Sequence, residues 1–420
     1  MPLTITDVRP FGADPVDVRV SEGVITEITP AGRGSTDTGG GDQEQLVGEG
    51  RLIFPTFADV HCHLDSTLLG LPFRPHTGGP GVWNMVMNDR RHWREPEWPV
   101  ARRATHALGM MVARGTTVVR SYAQIDADCG LERFEAVRSA KEAFAGRADV
   151  EIIAFPQAGL FREPGVVPLL EEALSSGAAT VGGIDPCALD GDPARHLDTV
   201  FELAEKHGAA VDIHLHEPAA MGAFSTRLIL ERTRALSMQG RVTISHGFFL
   251  GQLDEPTRRE MIAELAELDV SMATVAPPTG ALPLRELLEA GVRVGLGEDG
   301  QRDYWSPNGN ADMLFRTWQL AFTQGFRADA LVETALAVAT AGGRSVLDPA
   351  LDRVREGQAP GLREGDRADL VLLPGETPTA LVLDRTFGDC LPGRTVVHAG
   401  RVVAQDGVLT DTARQPAPQG

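Results

Sequence analysis

The chain has 420 residues, 42% of them hydrophobic and 23% charged, with a formal net charge of −19. This is the composition of an ordinary globular protein, long enough for one large domain and a smaller one. Its acidic balance, without clustered basic residues, argues against nucleic acid and anionic membrane surfaces as partners, and no run of about 18 apolar residues offers a membrane span.

The opening Met1-Pro2-Leu3-Thr4 carries neither a basic region nor an apolar signal core, and the four cysteines (Cys62, Cys129, Cys187, Cys390) are scattered. Both features fit reduced thiols in a cytoplasmic protein. Residues 3–30 alternate apolar and polar between Gly and Pro and read as short strands. Residues 31–48, rich in Gly, Asp, Gln and Ser, read as a surface loop. Strand patterns return at 368–373, 380–383 and 395–403, and a disordered tail is expected after Thr410. The two ends, residues 1–55 and 346–420, are expected to build one small β-sandwich domain.

Residues 56–345 form the other expected domain. Strand patterns fall at 52–61, 116–122, 149–156, 178–184, 209–216, 241–246, 269–275 and 292–298. Helical patterns separate most of them, as at 100–114, 131–145, 193–207, 228–239, 256–268 and 284–290. Asp192 and Pro193 supply a cap and a first-turn proline for the third of these. Alternating strands and helices imply parallel pairing, and eight strands imply a (β/α)8 TIM-type barrel, whose site lies at the C-terminal strand ends. Residues 68–98 are long for a loop at that face. With Trp83, Met85 and several Gly and Pro residues, they read as a lid or as a packed surface excursion.

The strand ends carry polar residues. His61 and His63 stand two apart, and alternate residues of a strand point the same way, so both imidazoles can face one ion. The third strand ends in Phe155-Pro156-Gln157, the fifth in Asp212, His214, His216 and Glu217, the sixth in Ser245-His246, and the eighth in Glu298-Asp299-Gly300. Imidazole and carboxylate donors suit Zn²⁺ or Fe²⁺. His61, His63, His214 and Asp299 are assigned as ligands. His216 shares the parity of His214 and is placed behind them. The only lysines are Lys141 and Lys206, neither near the fourth strand end, so one divalent ion per chain is expected.

The H-x-H at 61–63, the H-x-x-E at 214–217, Ser245-His246 and Asp299 resemble the amidohydrolase superfamily. With Phe155-Pro156-Gln157 and Trp305, the chain is most similar to the cytosine deaminase group, over its whole length. The resemblance implies the same four ligands, with Asp299 also catalytic. It implies Glu217 as proton shuttle, His246 beside a metal-bound hydroxide, Gln157 reading the substrate ring and Trp305 as a pocket wall. It implies hydrolytic deamination of a heterocyclic amidine, cytosine or a related pyrimidine, with release of ammonia. Homo-oligomers are common among such barrels.

Two stretches depart from the pattern. Arg120-Ser121-Tyr122 stands where many relatives carry Arg-Thr-His, and Glu298-Asp299-Gly300 where many carry His-Asp-Asp. The second change removes a carboxylate beside the ring and leaves space there. It opens the alternatives of a pterin, a triazine, an N-alkylamino heterocycle or a cyclic amide. A non-catalytic metal-binding relative is the third reading.

Overall fold

A computed structural model describes residues 2–32, 44–384 and 391–410. The expected tail, most of the 31–48 loop and Cys390 lie outside them. The N-terminal strands are β1 (Leu3–Pro10), β2 (Val16–Ser21), β3 (Val24–Pro30) and β4 (Glu44–Pro55). Eight more follow: β5 (Phe57–Cys62), β6 (Thr116–Gln124), β7 (Asp149–Phe155), β8 (Thr180–Ile184), β9 (Ala210–Leu215), β10 (Val242–His246), β11 (Ser271–Thr274) and β12 (Val294–Leu296). The C-terminal strands are β13 (Leu370–Leu373), β14 (Thr395–His398), β15 (Arg401–Gln405) and β16 (Val408–Leu409).

The terminal strands share one sheet, ordered β16-β15-β14-β13-β4-β1-β2-β3. It closes over its own apolar core, where Ile5, Val18, Val20 and Ile25 meet Leu370, Leu372 and Val397. Ala399 (φ 46°) and Gly400 (φ 75°) make the left-handed pair that a tight β14–β15 hairpin requires. Two expectations are corrected here. The apolar run over 52–61 is two strands: Leu52–Pro55 pairs with β13, and the barrel begins at Phe57. Pro55 has no N–H to donate, and the chain changes sheets just after it. Residues 380–383 are not a strand but part of the helix Pro378–Leu383; Thr377 accepts from the Ala380 N–H at 3.1 Å, and Pro378 opens the first turn.

β5 to β12 pair in parallel in chain order. The barrel closes where Cys62 bridges Asp299 and the Asp299 N–H donates to the His61 carbonyl at 2.7 Å. The approach is close: a Cβ on Gly297 would fall 2.5 Å from the His61 Cβ, so the seam requires glycine there. Every residue of β5 is buried, as expected of a strand covered on both faces. The helix Pro193–His207 is capped by Asp192, which accepts from the Arg195 N–H at 3.1 Å.

Within 68–98 the chain forms the helix Val82–His92. Trp83 packs there against Tyr122, Ile153 and Phe155, and the Arg162 guanidinium lies 4.0 Å over its ring. The start of this helix is therefore packed against the barrel. The helical run Asp329–Leu347 has mean hydropathy 1.2, enough by length and composition to cross a membrane, but 67% of that window is buried inside the protein.

Candidate metal centre

The seam and the neighbouring strand ends bring five side chains together. The donor atoms of His61, His63 and His214 lie within 4.8 Å of one another, as do those of His61, His246 and Asp299. Asp299 Oδ1 sits 3.5 Å from His61 Nε2 and 3.4 Å from His63 Nε2. A tetrahedral Zn²⁺ with bonds of about 2.0–2.1 Å would hold its ligand atoms roughly 3.4 Å apart. The buried His61 Nε2 and both ring nitrogens of His214 and of His246 have no hydrogen-bond partner. Leaving so many buried polar atoms unpaired is costly, and a shared cation removes the cost. Burial lowers the His61 pKa to about 4 and those of His214 and His246 well below the usual range, so all three are neutral with a lone pair to offer. Burial opposes ionisation of Asp299, but contact with His61 and His63 outweighs it and keeps a carboxylate. His246 (φ 68°) and Asp299 (φ 62°) both hold left-handed backbone, a strain that concentrates at functional sites.

Residues behind these orient them. The Tyr122 hydroxyl lies 3.0 Å from His61 Nδ1, 2.9 Å from Asp212 Oδ1 and 2.8 Å from Ser245 Oγ. His61 therefore turns Nε2 towards Asp299. The Tyr122 ring also stacks on His63, with centroids 4.9 Å apart and planes 19° apart. Asp59 Oδ1 accepts from the His61 N–H at 3.1 Å and from the Glu298 N–H at 3.2 Å, tying the two seam strands behind the ligands.

A cavity of about 130 Å³ opens on this cluster, lined among others by His63, His214, His246, Asp299, Gln157 and Trp305. Glu217 is not among the lining residues. Its Oε1 accepts from the N–H groups of Cys187 and Ala188 at 2.7 and 2.8 Å, and its Oε2 from Ser225 Oγ. β9 ends at Leu215, and beyond it the chain leaves strand geometry, so that Glu217 turns to the loop after β8 and to Ser225. His216 lines the cavity instead, its Nδ1 2.8 Å from Asp185 Oδ2 and its backbone N–H donating to Asp185 Oδ1 at 2.7 Å. Sequence reasoning passed over Asp185, although it directly follows β8. It also passed over Asp303, which lines the cavity beside Gly300. A larger cavity of about 930 Å³ lies between barrel and terminal sheet. Three guanidinium groups there, of Arg293, Arg344 and Arg367, pair with Asp269, Asp369 and Asp149. That space contains none of the clustered residues.

Residues 99–404 match the model of the Amidohydro_3 amidohydrolase family. The chain belongs to the amidohydrolase family. The crystal structure of N-isopropylammelide isopropylaminohydrolase from Burkholderia multivorans ATCC 17616 is 35% identical, with a TM-score of 0.88, covering 98% of this amidohydrolase and 100% of that chain. N-isopropylammelide isopropyl amidohydrolase of Pseudomonas sp. (strain ADP) is 27% identical over 87% of this chain and 89% of its own length. A 5-methylcytosine deaminase from Klebsiella pneumoniae shares the fold, at 24% identity and TM-score 0.80 over 99% of this chain and 100% of its own. An amidohydrolase typically binds a divalent metal, and the His and Asp cluster here could hold one.

Proposed function

We propose that this amidohydrolase removes an exocyclic amine, free or N-alkylated, from a single six-membered nitrogen heterocycle, a pyrimidine or a triazine. The observation that carries this is the cavity: at about 130 Å³ it admits one ring beside the His and Asp cluster. Pockets for drug-sized ligands measure about 300–1,000 Å³, so a nucleoside is disfavoured, whereas a pterin, no larger than an N-alkylated triazine, is separated by the test below. The relatives named for N-isopropylammelide support the N-alkylamine reading, and the cytosine expectation becomes one member of the class.

His61, His63, His214 and Asp299 would hold the ion, and either Zn²⁺ or Fe²⁺ accepts that set. When bound, it supplies a Lewis acid and lowers the pKa of a coordinated water from about 15.7 to about 7. Gln157 and Trp305 position the ring. Water adds to the ring carbon bearing the amine, the C–N bond breaks, and a ring carbonyl and free amine result. His246, buried among the ligands, takes the proton of the attacking water. His216 packs beside it, with ring centroids 4.3 Å apart; with its Nδ1–H held by Asp185, its Nε2 receives that proton and passes it to the departing amine.

The test is amine release by metal-loaded protein from cytosine, isocytosine, aminotriazines and their N-alkyl forms, beside pterin and adenosine. The expected result is turnover of at least one single-ring compound, with kcat/KM about 10²-fold or more above either bicyclic one, the scale set by excluding a misfit. Release from pterin or adenosine alone, or from nothing in the panel, overturns the reading.

A further inference from the structure

Gly300 stands where a carboxylate is missing from the family pattern, yet the structure fills that place from another residue. A Cβ on Gly300 would lie 2.6 and 2.8 Å from the two carboxylate oxygens of Asp303. No real Cβ tolerates this, so Asp303 occupies its position because residue 300 has no side chain. Asp303 is 6% exposed and lines the cavity together with Ser66. The expectation that glycine leaves open space is corrected: the space holds a carboxylate reaching back from three residues downstream.

The hydrogen bonds of that carboxylate show what it offers. Oδ1 accepts from the N–H groups of Trp305 and Ser306 at 2.8 and 2.7 Å. Oδ2 accepts from Ser66 Oγ at 2.6 Å. An ionised carboxylate has about four lone-pair sites. Three are used, and they fix its orientation and the start of the Trp305 loop. One on Oδ2 remains, in a group that faces the cavity.

We propose that Asp303 is a specificity-determining residue that accepts a hydrogen bond from an amino group or ring N–H on the edge of the substrate, and that Gly300 is there to admit it. This rests on the proposed reaction and narrows its substrate. The ring carries a donor on the edge facing Asp303, in addition to the amine that leaves. A ring offering only acceptors there meets lone pair with lone pair and is rejected, as happens when a buried polar group is left unpaired.

The test is equilibrium binding, by calorimetry, of aminotriazines in which one amino group at a time is replaced by hydrogen or methoxy, neither of which donates. Wild-type protein is expected to bind the parent about tenfold or more tightly than one of these analogues, the worth of one charge-assisted hydrogen bond. Asp303→Asn keeps an oxygen for the Trp305 and Ser306 N–H groups but turns a donor towards the cavity, and should cut that preference to about threefold or less. Gly300→Ala, which displaces the carboxylate without removing it, should do the same and serves if Asp303→Asn does not fold. An unchanged preference in a folded variant of normal metal content overturns the inference, as does a wild type that binds the series without discrimination or not at all. Because binding is measured, failure of the wild type to release amine counts against the proposed reaction alone.

Discussion

Asp299→Asn should lower amine release by about 10³-fold or more in kcat and reduce metal retention, with the barrel still folded. Asp299 follows β12 at the seam, with one oxygen 3.5 Å from His61 Nε2 and 3.4 Å from His63 Nε2. An amide there keeps the volume and loses the charge that a bound cation needs. Metal polarisation is worth several kcal/mol at the transition state, and each 1.36 kcal/mol is a factor of ten in rate. Far-UV circular dichroism and bound metal, measured beside turnover, separate lost chemistry from lost fold. Activity within about tenfold of wild type would remove Asp299 from the machinery.

The second large effect separates two neighbours. His216→Asn should lose about 10²–10⁴-fold in kcat, the usual worth of a positioned acid or base, while metal content stays at the wild-type level. Glu217→Gln should stay within about tenfold of wild type. Burial raises the Glu217 pKa despite the hydrogen bonds from Ser225, Ala188 and Cys187 that oppose it. A neutral amide can take its place at small cost, still accepting from the Cys187 and Ala188 N–H groups. The opposite pattern, with Glu217→Gln inactive and His216→Asn active, would return the proton shuttle to the residue indicated by the H-x-x-E motif.

That pair also shows where sequence reasoning reached and where it stopped. The eight-strand alternation and the polar residues at the strand ends marked the barrel, and local spacing placed His61 beside His63. Parity along β9 already set His214 and His216 on one face. The H-x-x-E pattern drew attention to Glu217, which lies past the end of β9 and turns to the loop after β8. Tyr122 stood out only as a departure from the Arg-Thr-His pattern, and its contacts could not be read. Its partners His61, Asp212 and Ser245 lie 61, 90 and 123 residues away, and only barrel closure brings them together. Gly300 looked like a deletion, because a residue that folds back to fill a space leaves no periodic signal. The helix Pro378–Leu383 was hidden by strand-like Ala380-Leu381-Val382-Leu383, although Thr377-Pro378 is a helix start. The β4–β5 break was hidden because the apolar run is continuous across it: Leu52, Phe54, Phe57 and Cys62 enter one core, and only Ile53 turns to the core of the terminal sheet.

The measurement that bears most directly on the account is amine release against metal content, in protein stripped by chelator and reloaded stepwise with Zn²⁺ or Fe²⁺. The account predicts no turnover without metal and a linear rise that saturates at about one ion per chain. Undiminished turnover in metal-free protein, or a rise that begins only with a second ion, would contradict it.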